Sequence, residues 1–107
     1  KFYDALFSSV GANRLWKHGD MAAWGRSRAE PALCLACPFN GAPASVGNGV
    51  MVALKMTNRK AADTLHAKCL ELGGTDEGPP GTRGDHGFYG GYFRDLDGNK
   101  LNAYVAA

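Results

Sequence analysis

A few side chains in this chain are of types that do chemistry, and their spacing limits what chemistry that is. Arg83-Gly84-Asp85-His86 is a polar loop that leads into an aromatic run. His86 is of a type that can act as acid or base, with Asp85 or Asp95 to orient it, although an exposed loop histidine is the plainer reading. Arg83 can clamp a carboxylate or phosphate, or cap loop carbonyls. Cys34-Leu35-Ala36-Cys37 has the C-x-x-C spacing of a zinc or redox pair. On a strand, however, residues three apart face opposite ways, and no second pair completes a tetrahedral site. Buried core thiols are therefore the better account of Cys34 and Cys37, and also of Cys69 on a helix stripe. His18, in a turn, and His66, at the margin of that stripe, read as surface histidines. Trp24, Tyr89, Phe93 and Tyr104 can stack on a planar ligand, though strand aromatics are more often core. Asn102 and Lys100 would add polar contacts, completing the mostly apolar surface with a few polar groups that small-molecule sites have.

These residues need elements to position them, and the clearest is in the last third of the chain. Two aromatic and aliphatic runs, Phe88 to Arg94 and Lys100 to Val105, flank Asp97-Gly98, which predicts a β-hairpin with a two-residue type I′ turn. In that register Phe93 pairs with Asn102 and Gly91 with Tyr104. Tyr89, Gly91, Phe93, Lys100, Asn102 and Tyr104 then share a face suited to a ligand, while Leu101, Ala103 and Val105 lie under a helix. Gly91→Trp should accordingly block ligand binding and leave the protein folded.

Upstream, Phe2, Tyr3, Leu6, Phe7 and Val10 form a helix stripe stopped by Gly11. The chain begins inside this helix with no initiator and no cap, which suggests a preceding segment. A hairpin follows around His18-Gly19-Asp20, then a short apolar strand over 32–37. Residues 40–48, with Asn40-Gly41, Pro43 and Gly47, are a crossover loop. Val50 to Met56 is a strand with Met51, Ala53 and Lys55 on one side. Asn58 caps a helix from Arg59 to about Leu72, whose stripe is Ala62, Leu65, Cys69 and Leu72. Thr75 to Arg83, with its two adjacent prolines, is a loop or short edge strand. The fold class is α+β.

The chain of 107 residues is long enough for one modest core. Its net charge of +2 and scattered Lys and Arg give no footprint for nucleic acid. No apolar run reaches the ~18 residues of a membrane span, and no signal peptide is visible. Three cysteines are an odd number and do not make a disulfide framework, so a cytoplasmic location is expected.

The stretch from Gly73-Gly74 through Gly78-Pro79-Pro80-Gly81-Thr82-Arg83 to Phe88-Tyr89 and Asp95-Leu96-Asp97-Gly98-Asn99-Lys100-Leu101 resembles the closing module of the vicinal oxygen chelate superfamily. That superfamily includes glyoxalase I, bleomycin-resistance proteins and extradiol dioxygenases. The resemblance extends through Gly47-Asn48-Gly49 to Phe2-Tyr3-Asp4, and departs from the usual pattern at Leu96, where the family has Pro. It implies two βαβββ modules forming cupped mixed sheets around a cleft, in a single domain. The first module, 1–39, would lack its first strand, 40–48 would be the crossover, and 49–107 the second module. It also implies a homodimer.

In that family one His, Gln or Glu from each of four strands holds Zn, Ni, Mn or Fe(II), with open positions that polarise substrate oxygens. Aligned to it, the fifth-strand position falls on Met51, the eighth on Asn102 and the fourth on Cys34. A thioether and an amide are poor donors for those metals. The resemblance therefore implies a small molecule bound in a cleft lined by Trp24, Met51, Arg83, Tyr89, Phe93, Asn102 and Tyr104, without the metal. The alternative is a metal-dependent lyase or isomerase of the lactoylglutathione lyase kind, with different ligands.

Overall fold

Each helix forms where a stripe of small and apolar residues recurs at three and four. A computed structural model describes residues 1–106 as two units, 1–45 and from 46 onward. The first contains α1 (Phe2–Ser8), β1 (Asn13–His18), β2 (Met21–Gly25) and β3 (Leu33–Leu35). The second contains β4 (Val52–Lys55), α2 (Arg59–Glu71), β5 (Thr75–Arg83), β6 (Phe88–Arg94) and β7 (Lys100–Val105). This is an α+β fold.

In the first unit the sheet order is β1-β2-β3. The β1–β2 hairpin turns at Gly19-Asp20, with Gly19 at φ 62°, a conformation glycine adopts without steric cost. Tyr3, Leu6 and Phe7 of α1 are buried, as are Ala22, Ala23 and Trp24 of β2. Tyr3 packs on Phe7 at 5.7 Å and on Trp24 at 5.4 Å between ring centroids. The Trp24 indole N–H donates to Asp4 Oδ1 at 2.9 Å. That bond, the largest influence, holds the Asp4 carboxyl below its usual range, with Arg14 assisting.

Cys34 and Cys37 are exposed, not core. On the three-residue edge strand β3, Leu33 and Leu35 share one half-buried side and Cys34 alternates to the other. Cys37 lies past the strand end, where Asp20 accepts a hydrogen bond from its thiol and raises its pKa.

In the second unit the sheet order is β4-β7-β6-β5, with β4 parallel to β7 and the other pairs antiparallel. Asn58 Oδ1 accepts from the Ala61 N–H at 2.8 Å and starts α2. Ala62, Leu65 and Cys69 are fully buried beneath it, with Phe93, Leu101 and Ala103 of the sheet. Burial, followed by the charge of Asp95, pushes the Cys69 thiol up to about 11. His66 is buried as well, which corrects its reading as a surface residue. Its Nε2 lies 3.0 Å from Asp76 Oδ1 and its ring meets Phe93 edge-on at 6.0 Å. The Asp76 carboxylate satisfies it and also accepts from the Gly78 N–H at 2.9 Å, the main cause of the lowered Asp76 pKa.

β5 runs nine residues as an edge strand, longer than a loop with two prolines suggests. Its register breaks between Asp76 and Gly78 and between Gly78 and Gly81, which leaves Pro79 and Pro80 outside the ladder.

The turn between β6 and β7 differs from the expected one. Asp95 N–H donates to Asn99 O at 3.0 Å and Gly98 N–H to Asp95 O at 3.1 Å. Leu96, Asp97 and Gly98 thus form a three-residue loop, with Gly98 at φ 87°. A type I′ turn needs positive φ at Asp97 too, whereas only glycines among the described residues have positive φ. The buried Asp95 carboxylate favours the longer loop by accepting from Asp97 N–H at 3.0 Å, Asn99 N–H at 2.8 Å and Asn99 Nδ2 at 2.9 Å. Asp95→Ala is expected to cost about 2 kcal/mol in urea unfolding, because hydrogen bonds to an ionised group are the stronger kind. A change under a few tenths would mean that the loop closes without its carboxylate.

Candidate functional site

The longer turn shifts the hairpin register by one residue. Phe93 pairs with Leu101, Tyr92 with Asn102, Gly91 with Ala103 and Gly90 with Tyr104. Leu101, Ala103 and Val105 still face α2, but every β6 side chain exchanges sides relative to the sequence expectation. Tyr89 and Phe93 therefore belong to the helix side. Phe93 is fully buried there, and the Tyr89 hydroxyl donates to Asp63 of α2 with Arg59 over its ring at 4.8 Å. The bond to Asp63 raises the Tyr89 pKa.

Gly91 also lies under α2, where a Cβ would come 3.0 Å from Pro80 Cγ and 3.1 Å from the His66 ring. Gly91→Trp would thus break the packing of α2 instead of filling a ligand site. Trp24 is a core residue of the first unit, bonded to Asp4, and presents no free stacking face.

The side of the second sheet turned away from α2 carries Phe88, Gly90, Tyr92 and Arg94 from β6 and Lys100, Asn102 and Tyr104 from β7. It also carries Ala53 and Lys55 from β4, beside Asn102 and Tyr104, and Gly78, Gly81 and Arg83 from β5. Phe88 and Tyr92 were missed from sequence because the assumed turn put them under the helix. The Asp95–Asn99 spacing, with glycine just before the Asn, was the signal for the three-residue loop.

Glycines let the larger side chains of this face lie flat. A Cβ at Gly81 would stand 3.1 Å from Arg83 Nη1, one at Gly78 3.3 Å from the Tyr92 ring, and one at Gly90 2.9 Å from Asn102 Nδ2 and 3.1 Å from the Phe88 ring. Phe88 and Tyr104 stack at 5.6 Å with 13° between planes. The Arg83 guanidinium lies 5.5 Å from the Tyr92 ring centroid and the Lys100 ammonium 5.7 Å. They come from β5 and β7, the strands on either side of β6. Arg83 also donates to Pro79 O at 2.6 Å, so it caps a carbonyl while keeping further donors. Asn102 is buried and donates to Gly91 O at 3.1 Å.

His86 lies exposed in the turn between β5 and β6, and Asp95 lies at the far end of β6, out of its reach. Met51 is exposed just ahead of β4. At two of the three positions where the resemblance places metal ligands stand an exposed thioether, Met51, and an amide, Asn102, already held by a backbone carbonyl; the third is the exposed thiol of Cys34. The thioether and the amide do not fit Zn, Ni, Mn or Fe(II), which leaves one donor of the right kind among the three. No group of three or more His, Cys, Asp or Glu among the described residues is arranged to hold a metal ion. No described helix is long and apolar enough to cross a membrane.

No protein-family model matches the chain, and no curated protein matches it. Solved structures do. A glyoxalase/bleomycin resistance protein from Albidiferax ferrireducens T118 is 32% identical over 100% of this chain and 86% of its own, with a TM-score of 0.85. A glyoxalase/bleomycin resistance protein/dioxygenase family enzyme from Burkholderia phytofirmans PsJN shares the fold at 10% identity, covering 99% of this chain and 89% of its own, with a TM-score of 0.71. TioX from Micromonospora sp. ML1 shares it at 16% identity over 98% and 85%, with a TM-score of 0.65. Identity at that level along the whole chain, on a fold whose element order is helix–three strands followed by strand–helix–three strands, establishes that the chain belongs to the glyoxalase/bleomycin resistance family of the vicinal oxygen chelate superfamily.

Proposed function

We propose that the α2-distal face of the second sheet binds a small planar molecule and does so without a divalent metal. The observation that carries this reading is the set of three aromatic rings, Phe88, Tyr92 and Tyr104, laid over glycine backbone on one face of the sheet. Rings of this kind add apolar area and stacking geometry at little entropic cost, and Asn102 and Arg83 add fixed polar contacts. Binding, as opposed to lyase or isomerase turnover, follows from the donor set at the metal positions. The protein is expected to act as a homodimer, as the family resemblance implies. Its free thiols, two of them exposed, suit a reducing, cytoplasmic setting.

The test joins metal analysis to a ligand screen. Protein purified without chelator, and again after loading with Zn, Ni, Mn and Fe(II), is expected to hold no stoichiometric ion. Planar aromatic metabolites and antibiotics are expected to raise the melting temperature of the parent protein, and Tyr92→Ala to lose that shift while staying folded. About one ion per chain, with turnover of a methylglyoxal–thiol adduct, would move the protein to the metal-dependent lyases. An unchanged shift in Tyr92→Ala would remove this face as the site.

A further inference from the structure

The open face is electrically lopsided. Arg94, at its turn end, is neutralised, with Nε 3.3 Å from Glu77 Oε1 and Nη1 donating to Gly98 O at 2.8 Å. Elsewhere on this face, Arg83, Lys55 and, beside Arg94, Lys100 have no carboxylate within ion-pair distance among the described residues. Among the described residues Arg83 donates to the carbonyls of Pro79 and Thr82, which orient its fork without cancelling its charge. The Lys100 ammonium has no hydrogen-bond partner among the described residues and rests over the Tyr92 ring. The other acids of this unit that have partners are spent on the helix side or in the turn. Asp63 holds Tyr89, Asp76 holds His66, Glu71 holds Lys68, and Asp95 closes the loop.

Two cations approach one aromatic ring from opposite neighbouring strands, next to a stacked pair of rings with no side chain at Gly90 between them. The ring faces attract and position the cations, yet a π face does not neutralise them. A group that completes the site must bring negative charge to Tyr92 and a flat apolar body to Phe88 and Tyr104. Resting on the binding reading above, we propose that the ligand is an aromatic anion. Its carboxylate or phosphate lies between Arg83 and Lys100, and its ring lies on the Phe88–Tyr104 pair. Arg83 suits this role because its remaining donors form a planar fork matched to two oxygens. Lys100 acts as a point charge, and Lys55 adds to the field from β4.

Matched naphthalene probes separate the charge from the ring: 2-naphthoate, 2-naphthyl phosphate and neutral 2-naphthamide, with inorganic phosphate as the ringless control. Affinities would be measured by calorimetry at low salt and again at high salt. At least one of the two naphthalene anions should bind about tenfold or more tighter than the amide, as expected for a charge-assisted contact, and salt should narrow that gap. The better of the two tells carboxylate from phosphate. Arg83→Gln and Lys100→Met should each remove most of the gap between the anions and the amide. Lys60→Met, an equal charge change on the exposed side of α2, should leave the gap intact. Equal affinity for the anions and the amide, with binding still lost in Tyr92→Ala, would overturn the anion assignment and spare the binding face. Inorganic phosphate bound as tightly as naphthyl phosphate would overturn the aromatic part. Absence of binding by all three naphthalene probes would overturn both this assignment and the planar-ligand reading it rests on.

Discussion

Phe93→Ala should destabilise the second unit by about 4 kcal/mol, the usual cost of emptying a phenylalanine site that its surroundings cannot refill. Phe93 has no exposed surface and meets the His66 ring at 6.0 Å under α2. Collapse would have to draw His66 inward, and His66 is tethered to Asp76. Small domains have about 5–15 kcal/mol in all, so urea unfolding should show a large fall in midpoint. Phe88→Ala, on the half-buried open face of the same strand, should cost far less. The comparison tests the register itself. Were Phe93 on the ligand face, its removal would weaken binding and leave the midpoint nearly unmoved.

Gly74→Ala is expected to be nearly as damaging for the opposite reason, overpacking. Gly74 joins α2 to β5, with its N–H donating to Cys69 O at 2.8 Å as the helix ends at Gly73, φ 101°. An added methyl would press on the Cys69 sulfur and stand 2.6 Å from Arg94 O and 3.0 Å from Cys69 O. The sulfur belongs to a short side chain with no surface exposure, and the two oxygens are main chain, so relief requires α2 and β6 to move apart. A loss of about 3 kcal/mol is expected in urea unfolding. Cys69→Ala combined with Gly74→Ala should recover only part of it, because the clash with Arg94 O remains. Full recovery in the double variant would show that the sulfur alone sets the limit.

Much of the fold was readable one residue at a time. The stripe Ala62, Leu65 and Cys69, the Asn58 cap, the stop at Gly73-Gly74 and the turn at Gly19-Asp20 all depend on neighbours within one turn of helix or one hairpin. The uniformly apolar set Leu101, Ala103 and Val105 likewise announced which side of β7 is covered. Burial was harder to read where it depends on distant chain. Cys34 looks like core in an apolar run, yet β3 is a three-residue edge strand, and His66 looks like a surface residue until Asp76 meets it from β5.

The candidate site followed the same division. Arg83, Lys100, Asn102 and Tyr104 were singled out from sequence and share the open face, while Tyr89 and Phe93 gave way to Phe88 and Tyr92. The difference comes down to one residue in a turn. Asp97-Gly98 has the local chemistry of a two-residue turn, and in isolation that preference would decide the register. The buried Asp95 carboxylate outweighs it with three hydrogen bonds available only in the longer loop. Residue types and their periodicities thus determined most of the elements and their order, because those are matters of local geometry, while the family was suggested by the resemblance of motifs along the chain. Which side of β6 faces a ligand was decided only by tertiary structure, because strand sides alternate with period two and one added loop residue exchanges them all.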